Sequence, residues 1–164
     1  AHSDKHLLYC DWEKRDSLLV SKDEFLLDLK NNYKEMEKFG IATEDIHFFL
    51  PPYEWYNDSI SKWTAEAGLQ LVNFTHGTKS NADYTTPDMN QYVSSEEIYQ
   101  SILNYEAKNS YGLNGFILLI HIGTAPERTD KFYNRLEELI ILLKSKEYEL
   151  QRIDKLLMMD ELND

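Results

Sequence analysis

The chain has 164 residues, 42% of them hydrophobic, which suits a single domain, 1–164, with a sizeable core. A net charge of −12 argues against a nucleic-acid or anionic-membrane partner, because phosphate binding needs clustered Lys and Arg. No stretch approaches the ~20 apolar residues that span a bilayer, and Cys10, as the sole cysteine, excludes an internal disulfide or a cysteine metal cluster.

The chain opens on Ala1 and not on Met, so the lack of a secretory signal in these residues says nothing about compartment. Cys10, among Leu7, Leu8, Tyr9 and Trp12, reads as a buried structural thiol. Ser21 with Glu24 forms a capping box that opens a helix, and Phe25, Leu26, Leu29, Tyr33 and Met36 recur at helical spacing up to Gly40. The run Ile46 to Leu50 predicts a strand ended by Pro51 and Pro52. A second helix is expected over Asn57 to Ala67, closed by Gly68, and a second strand over Leu69 to Phe74. A long polar stretch, Thr75 to Val93, follows; loops of that length in compact domains are often functional.

Ser94 and Glu97 make another capping box before Ile98, Ile102 and Tyr105. Asn114-Gly115 turns into an apolar strand, Phe116 to Ile120. Thr129 or Asp130 is expected to start a helix carrying Phe132, Leu136, Leu139, Ile140 and Leu143. A last strand over Tyr148 to Ile153 and a frayed helical tail to Asp164 complete the pattern. Strands alternating with long helices predict an α/β fold of parallel βα units, and periodicity alone does not separate an open doubly wound sheet from a barrel.

In either architecture ligands meet the C-terminal ends of strands. Four of the five histidines, His2, His6, His76 and His121, lie at such positions, while His47 falls inside a strand and reads as structural. His2 and His6, four apart, share a face of a helical turn and are placed to reach one metal, with Ser3 able to orient an imidazole. Spacing alone favours a plain pair of exposed terminal histidines. His121 has the pKa range of a proton donor, although a lone histidine at a strand end is more often a hydrogen-bonded core residue. The Pro51-Pro52-Tyr53 turn fixes the Tyr53 amide in a direction suited to an oxyanion, or simply ends a strand with a packed aromatic. Trp55, Tyr56 and Trp63 form an aromatic group of a kind that lines carbohydrate sites and also fills cores.

Three of these pieces, in order, resemble one family. His2-Ser3-Asp4-Lys5-His6 is similar to the His-Ser/Thr-x-x-His motif of the polysaccharide deacetylases, carbohydrate esterase family four. Leu50-Pro51-Pro52-Tyr53 resembles their Arg-x-Pro-Tyr motif, and Leu119-Ile120-His121 their Leu-x-His motif. The resemblance implies part of a distorted (β/α) barrel, corresponding to the family's C-terminal two-thirds and lacking its N-terminal strands. It implies a divalent metal, commonly zinc, held by His2 and His6, with Ser3 orienting His6. Tyr53 would supply the oxyanion amide and His121 the general acid, with Trp55 and His76 against the substrate.

The implied activity is hydrolysis of N-acetyl or O-acetyl groups on a polysaccharide or oligosaccharide, in a secreted, periplasmic or cell-surface protein. The alternative is a non-catalytic carbohydrate-binding domain of the same fold. The motifs also depart from the pattern. The family's paired aspartates, one a metal ligand and one the base, have no counterpart here, and Leu50 replaces an arginine. Asn73 to Gly77 does not match the family's Asp and Trp cluster, and Asp83 is the nearest substitute carboxylate. Catalysis by these residues alone is therefore expected to be incomplete.

Overall fold

A computed structural model describes residues 1–158; the tail expected to be frayed helix falls largely on residues 159–164, outside that range. The chain divides into two compact units, Ala1–Asn73 and one beginning at Phe74. Each has its own apolar core.

In the first unit, helix α1 (Lys22–Glu37) opens on the expected capping box: Ser21 accepts from the Glu24 amide and the Glu24 carboxylate accepts from the Ser21 amide. Helix α2 (Asp58–Glu66) is capped by the Asn57 side chain. The two strands are shorter than expected. β1 (Phe48–Phe49) and β2 (Gln70–Leu71) pair in parallel, Phe48 opposite Gln70 and Phe49 opposite Leu71. His47 lies outside β1 and is exposed, and its carbonyl accepts from the Gln70 amide at 2.8 Å. Ala1 lies along the other edge of β1, donating to the Phe48 carbonyl at 2.6 Å and accepting from the Leu50 amide at 3.0 Å. Hence His2 and Tyr53 follow the C-terminal ends of adjacent extended segments.

The core joins Phe25 and Leu29 of α1 to Phe49 of β1 and Ile60 of α2. Trp63 belongs to this core, its ring 5.9 Å from that of Phe25, and not to a surface aromatic group. Cys10 is fully buried, as expected, and burial raises its pKa.

In the second unit, helix α3 (Ser95–Lys108) again shows its capping box, from Ser94 and Glu97. Ile98 and Ile102 of α3 pack against Leu139 and Leu143 of α4 (Leu136–Ser145). Residues 116–120 are half-buried and form no strand. A strand needs a ladder, and here the Thr75 amide donates to the Ile117 carbonyl while the Ile117 amide goes to a side chain, Thr75 Oγ1. The expected last strand is also absent; helix α5 (Ile153–Met158) begins where it was to end.

The helix expected from Thr129 or Asp130 starts later, as a 3-10 turn over Phe132–Arg135 leading into α4. Asp130 is committed elsewhere: its carboxylate accepts from the Ser95 amide at 2.7 Å, and its carbonyl from the Ser95 hydroxyl. It thus satisfies an orphan amide at the start of α3 instead of opening its own helix. No helix among the described residues is long and apolar enough to cross a membrane.

One polar residue is buried within the apolar stripe of α1. Asp28, 4% exposed, accepts from the Tyr9 hydroxyl at 2.9 Å and from the Lys5 amide at 2.9 Å. Burial, and then the bond to Asp28, push the Tyr9 phenol far above its ordinary pKa. Asp28→Ala leaves those donors unsatisfied and is expected to destabilise the protein by about 2–4 kcal/mol in urea unfolding. A phenol whose folded-state pKa is raised adds stability below its unfolded value, about pH 10, and loses it as pH rises beyond. Tyr9→Phe is therefore expected to flatten the alkaline loss of stability, measured by unfolding between pH 8 and 11.

Candidate functional site

Residues 1–9 contain no helix, so His2 and His6 do not meet on a helical turn. They meet across a bend. His6 takes a left-handed backbone (φ 52°), and the two ring centroids lie 5.0 Å apart, edge to face. Ser3 holds the bend through the main chain, its Oγ accepting from the His6 amide at 2.6 Å. Helix α1 fixes the rest: Asn32 accepts from the His2 amide at 3.1 Å and donates to the Ser3 carbonyl at 3.2 Å, and Asp28 takes the Lys5 amide. Asp28 and Asn32 are four apart on one helix face. Two polar residues at that spacing, on the face that carries Phe25 and Leu29, are the signal by which sequence reasoning could have found them.

The His2 ring is oriented as well. Its Nδ1 lies 2.7 Å from the Leu50 carbonyl, an acceptor, so Nδ1 donates there. Leu50 thus contributes its backbone, while its side chain can make no ionic contact with a carboxylate. The His6 ring sits 4.5 Å from Tyr53, edge on.

Tyr53 occupies a single 3-10 turn (Pro52–Glu54) in which the Glu54 and Trp55 amides donate to the Pro51 and Pro52 carbonyls at 3.0 and 3.2 Å, while the Tyr53 amide, at the start of the turn, has no acceptor within it. Tyr53 (φ 59°) and Glu54 (φ 53°) are consecutive non-glycine residues in the left-handed region, at a cost on the order of 1–3 kcal/mol each. Asn73, just past β2, stabilises the turn by donating to the Glu54 carbonyl at 2.9 Å. The backbone is therefore held in a sparsely populated state by neighbouring structure, as functional turns often are. Trp12 adjoins both Tyr53, at 5.6 Å between ring centroids, and Trp55, at 5.4 Å.

A second polar constellation stands in the second unit. Asp83, fully buried, takes two hydrogen bonds from one residue: the His121 amide at 2.7 Å and His121 Nδ1 at 2.6 Å. This carboxylate fixes the orientation of the His121 ring through Nδ1. The loop carrying Asp83 is clamped by Arg128, also fully buried. Its Nη1 donates to the Thr85 carbonyl at 2.6 Å and its Nη2 to the Val93 carbonyl at 3.1 Å, with Ser95 Oγ at 3.1 Å. Arg128 Nε pairs at 3.6 Å with the Asp130 carboxylate. Burial works to raise that carboxyl, but bonds from Ser95 and Tyr92 and the Arg128 charge outweigh it and hold its pKa low.

His76 is exposed, its ring edge-on to Phe74 at 4.4 Å. Gly77 follows at φ 122°, where a Cβ would lie 2.6 Å from the Tyr105 ring. An apolar groove of about 430 Å³ beside residues 116–120, lined by Ile117, Leu136 and Leu143 among others, includes none of the candidate polar side chains.

The two imidazoles supply donors suited to zinc or a similar divalent ion, but catalytic zinc usually has three protein ligands. Among the described residues no group of three or more His, Cys, Asp or Glu is placed to hold a metal. The residues present therefore do not by themselves complete a metal centre.

The fold is like part of that of solved structures from carbohydrate esterase family four. No family model and no curated protein sequence matches the chain. Among solved structures, the wild-type form of a pseudoenzyme of that family from Bacillus anthracis matches with a TM-score of 0.64 at 19% identity, over 95% of this chain and 44% of its own. A mutant of that pseudoenzyme with restored enzymatic activity, and a further mutant, match with the same score and identity, each over 46% of its length. The chain thus spans less than half the length of the structures it matches.

The Arg128 clamp yields a prediction. Arg128→Met strands two buried carbonyls and is expected to cost about 3–5 kcal/mol. It is also expected to speed hydrogen exchange at the His121 amide, with Arg128→Lys intermediate; urea unfolding and amide exchange measure both.

Proposed function

We propose that this chain is part of a protein that hydrolyses acetyl groups on a polysaccharide, with its βα units belonging to a distorted (β/α) barrel of the deacetylase type. The observation that carries the reading is the strained Tyr53 turn beside the His2–His6 pair, both following the ends of extended segments. Residues of these types serve acyl transfer. An amide fixed in direction stabilises an oxyanion without reorganising, and removing one such donor typically costs about 10²–10³ in rate. His121, its ring oriented by Asp83, is the residue this reading assigns to protonation of the leaving amine.

His2 and His6 are two of the donors that a divalent ion, zinc by preference, takes, and such an ion polarises the acyl carbonyl when bound. The remaining ligand and the base are not among the residues described, so hydrolysis requires carboxylates beyond them. A location outside the cytoplasm accords with a polysaccharide substrate.

A second reading, a glycan-binding domain without hydrolysis, is favoured by one specific observation: no third metal donor stands by the histidine pair among the described residues. Acetate release by the native protein from chito-oligosaccharides and peptidoglycan decides between them. On the hydrolytic reading, release is abolished by a chelator, restored by zinc, and reduced at least 100-fold by His121→Ala. Glycan binding that survives His2→Ala and His121→Ala, without any acetate release, establishes the second reading.

A further inference from the structure

We propose that Asn114-Gly115 is a self-modification site, at which the chain converts Asn114 to aspartate and isoaspartate without an enzyme and thereby opens the turn ahead of residues 116–120. The proposal is independent of the hydrolytic reading.

Asn114 is the only asparagine of the chain followed by glycine. A glycine amide has no neighbouring Cβ to hinder its approach to the asparagine side chain. Both residues are exposed. They are the central pair of a turn closed by the bond from the Phe116 amide to the Leu113 carbonyl at 3.0 Å. Among the described residues, neither the Asn114 carboxamide nor the Gly115 amide has a hydrogen-bond partner. Gly115 takes φ 70°, and nothing lies within 4 Å of the position a Cβ would occupy there, so a new ring has room.

Other asparagines are held by their side chains. Asn57 accepts from the Ile60 amide at 3.1 Å and donates to the Arg15 carbonyl at 2.9 Å. Asn73 donates to the Glu54 carbonyl at 2.9 Å. Asn109, followed by the small Ser110, accepts from the Tyr111 amide at 2.9 Å and donates to the Tyr105 hydroxyl at 3.2 Å. Each of these bonds must break before the carboxamide turns toward the next residue's nitrogen, whereas Asn114 breaks none.

The reaction consumes one water and releases one ammonia. A base removes the Gly115 amide proton, and the nitrogen attacks Cγ of Asn114. A C–N bond forms, the bond from Cγ to the amino group breaks, and ammonia leaves with a returned proton. Water then opens the five-membered imide. Attack at Cγ leaves aspartate, and attack at the main-chain carbonyl leaves isoaspartate, whose backbone runs through the side chain. No oxidant or reductant takes part.

Isoaspartate lengthens the backbone by one carbon inside a four-residue turn, which the Phe116–Leu113 bond does not span. The Leu113 amide also donates to the Tyr148 hydroxyl at 3.0 Å, so the turn is seated against the segment after α4. Asn114, Gly115 and Phe116 line the apolar groove together with Glu149, and a carboxylate at position 114 adds a second negative charge there.

The test is incubation of the native protein in heavy-oxygen water at pH 6 and pH 9, with peptide mapping by electron-transfer fragmentation. The expected result is a gain of label in the peptide bearing Asn114, as aspartate and isoaspartate, on the order of 10-fold faster at the higher pH because a base starts the reaction. Asn114→Gln abolishes it. Conversion in urea but not in the native protein overturns the proposal, as does conversion at Asn109 faster than at Asn114. The isolated isoaspartyl form is expected to exchange its Phe116 amide hydrogen faster than the unmodified protein; unchanged exchange there overturns the opening of the turn.

Discussion

The buried carboxylate of Asp28 is the interaction on which the first unit's site depends. It sits in the apolar stripe of α1, between residues that fill the core, and it is occupied by the Tyr9 hydroxyl and the Lys5 amide. A carboxylate in such surroundings is tolerated only when its lone pairs are filled. The donors that fill them belong to the segment bearing His2 and His6, so docking of α1 and shaping of the histidine bend are one event. Asn32, one turn on, extends the same arrangement to His2 and Ser3.

The second unit solves a similar problem with the opposite charge at its centre. The polar loop before α3 has little apolar surface with which to anchor itself. A buried guanidinium substitutes, gathering the carbonyls of Thr85 and Val93 around one planar group with fixed donor directions. Asp83 lies within the clamped stretch, and its two bonds to His121 join loop and histidine. In both units a histidine ring is oriented by an acceptor at Nδ1, Leu50 in the first and Asp83 in the second.

Helix ends were legible in the sequence because capping chemistry is local. Ser21 with Glu24 and Ser94 with Glu97 need only three residues of context to be recognised. Strands were less legible because a strand exists only with its partner. The apolar run Phe116–Ile120 has the composition of one, yet its Ile117 amide bonds a side chain, Thr75 Oγ1, and does not extend a ladder. Asp130 misled for a related reason, since its carboxylate serves a helix 35 residues away in sequence. Of the candidate site, His2 and Tyr53 lie near β1 and the extended segment beside it, whereas His121 follows a run that forms no strand and His76 lies beyond the end of β2. Of their supports, Asp28 and Asn32 showed only as two polar residues on the apolar face of α1, and Asn73 and Arg128 were not visible, because each acts across a fold that periodicity does not specify. Asp83 was visible only as a stray carboxylate in a long loop.

The bond from Asn73 to the Glu54 carbonyl ties the Tyr53 turn to the alignment of two very short strands. Sliding β2 by one residue would displace Asn73 by about 3.3 Å, more than the length of a hydrogen bond, and turn its side chain to the opposite face. The turn would then relax toward ordinary backbone angles and re-aim its amide. A two-residue ladder therefore works as a vernier: it adds little cohesive energy, yet its setting fixes where a single N–H points.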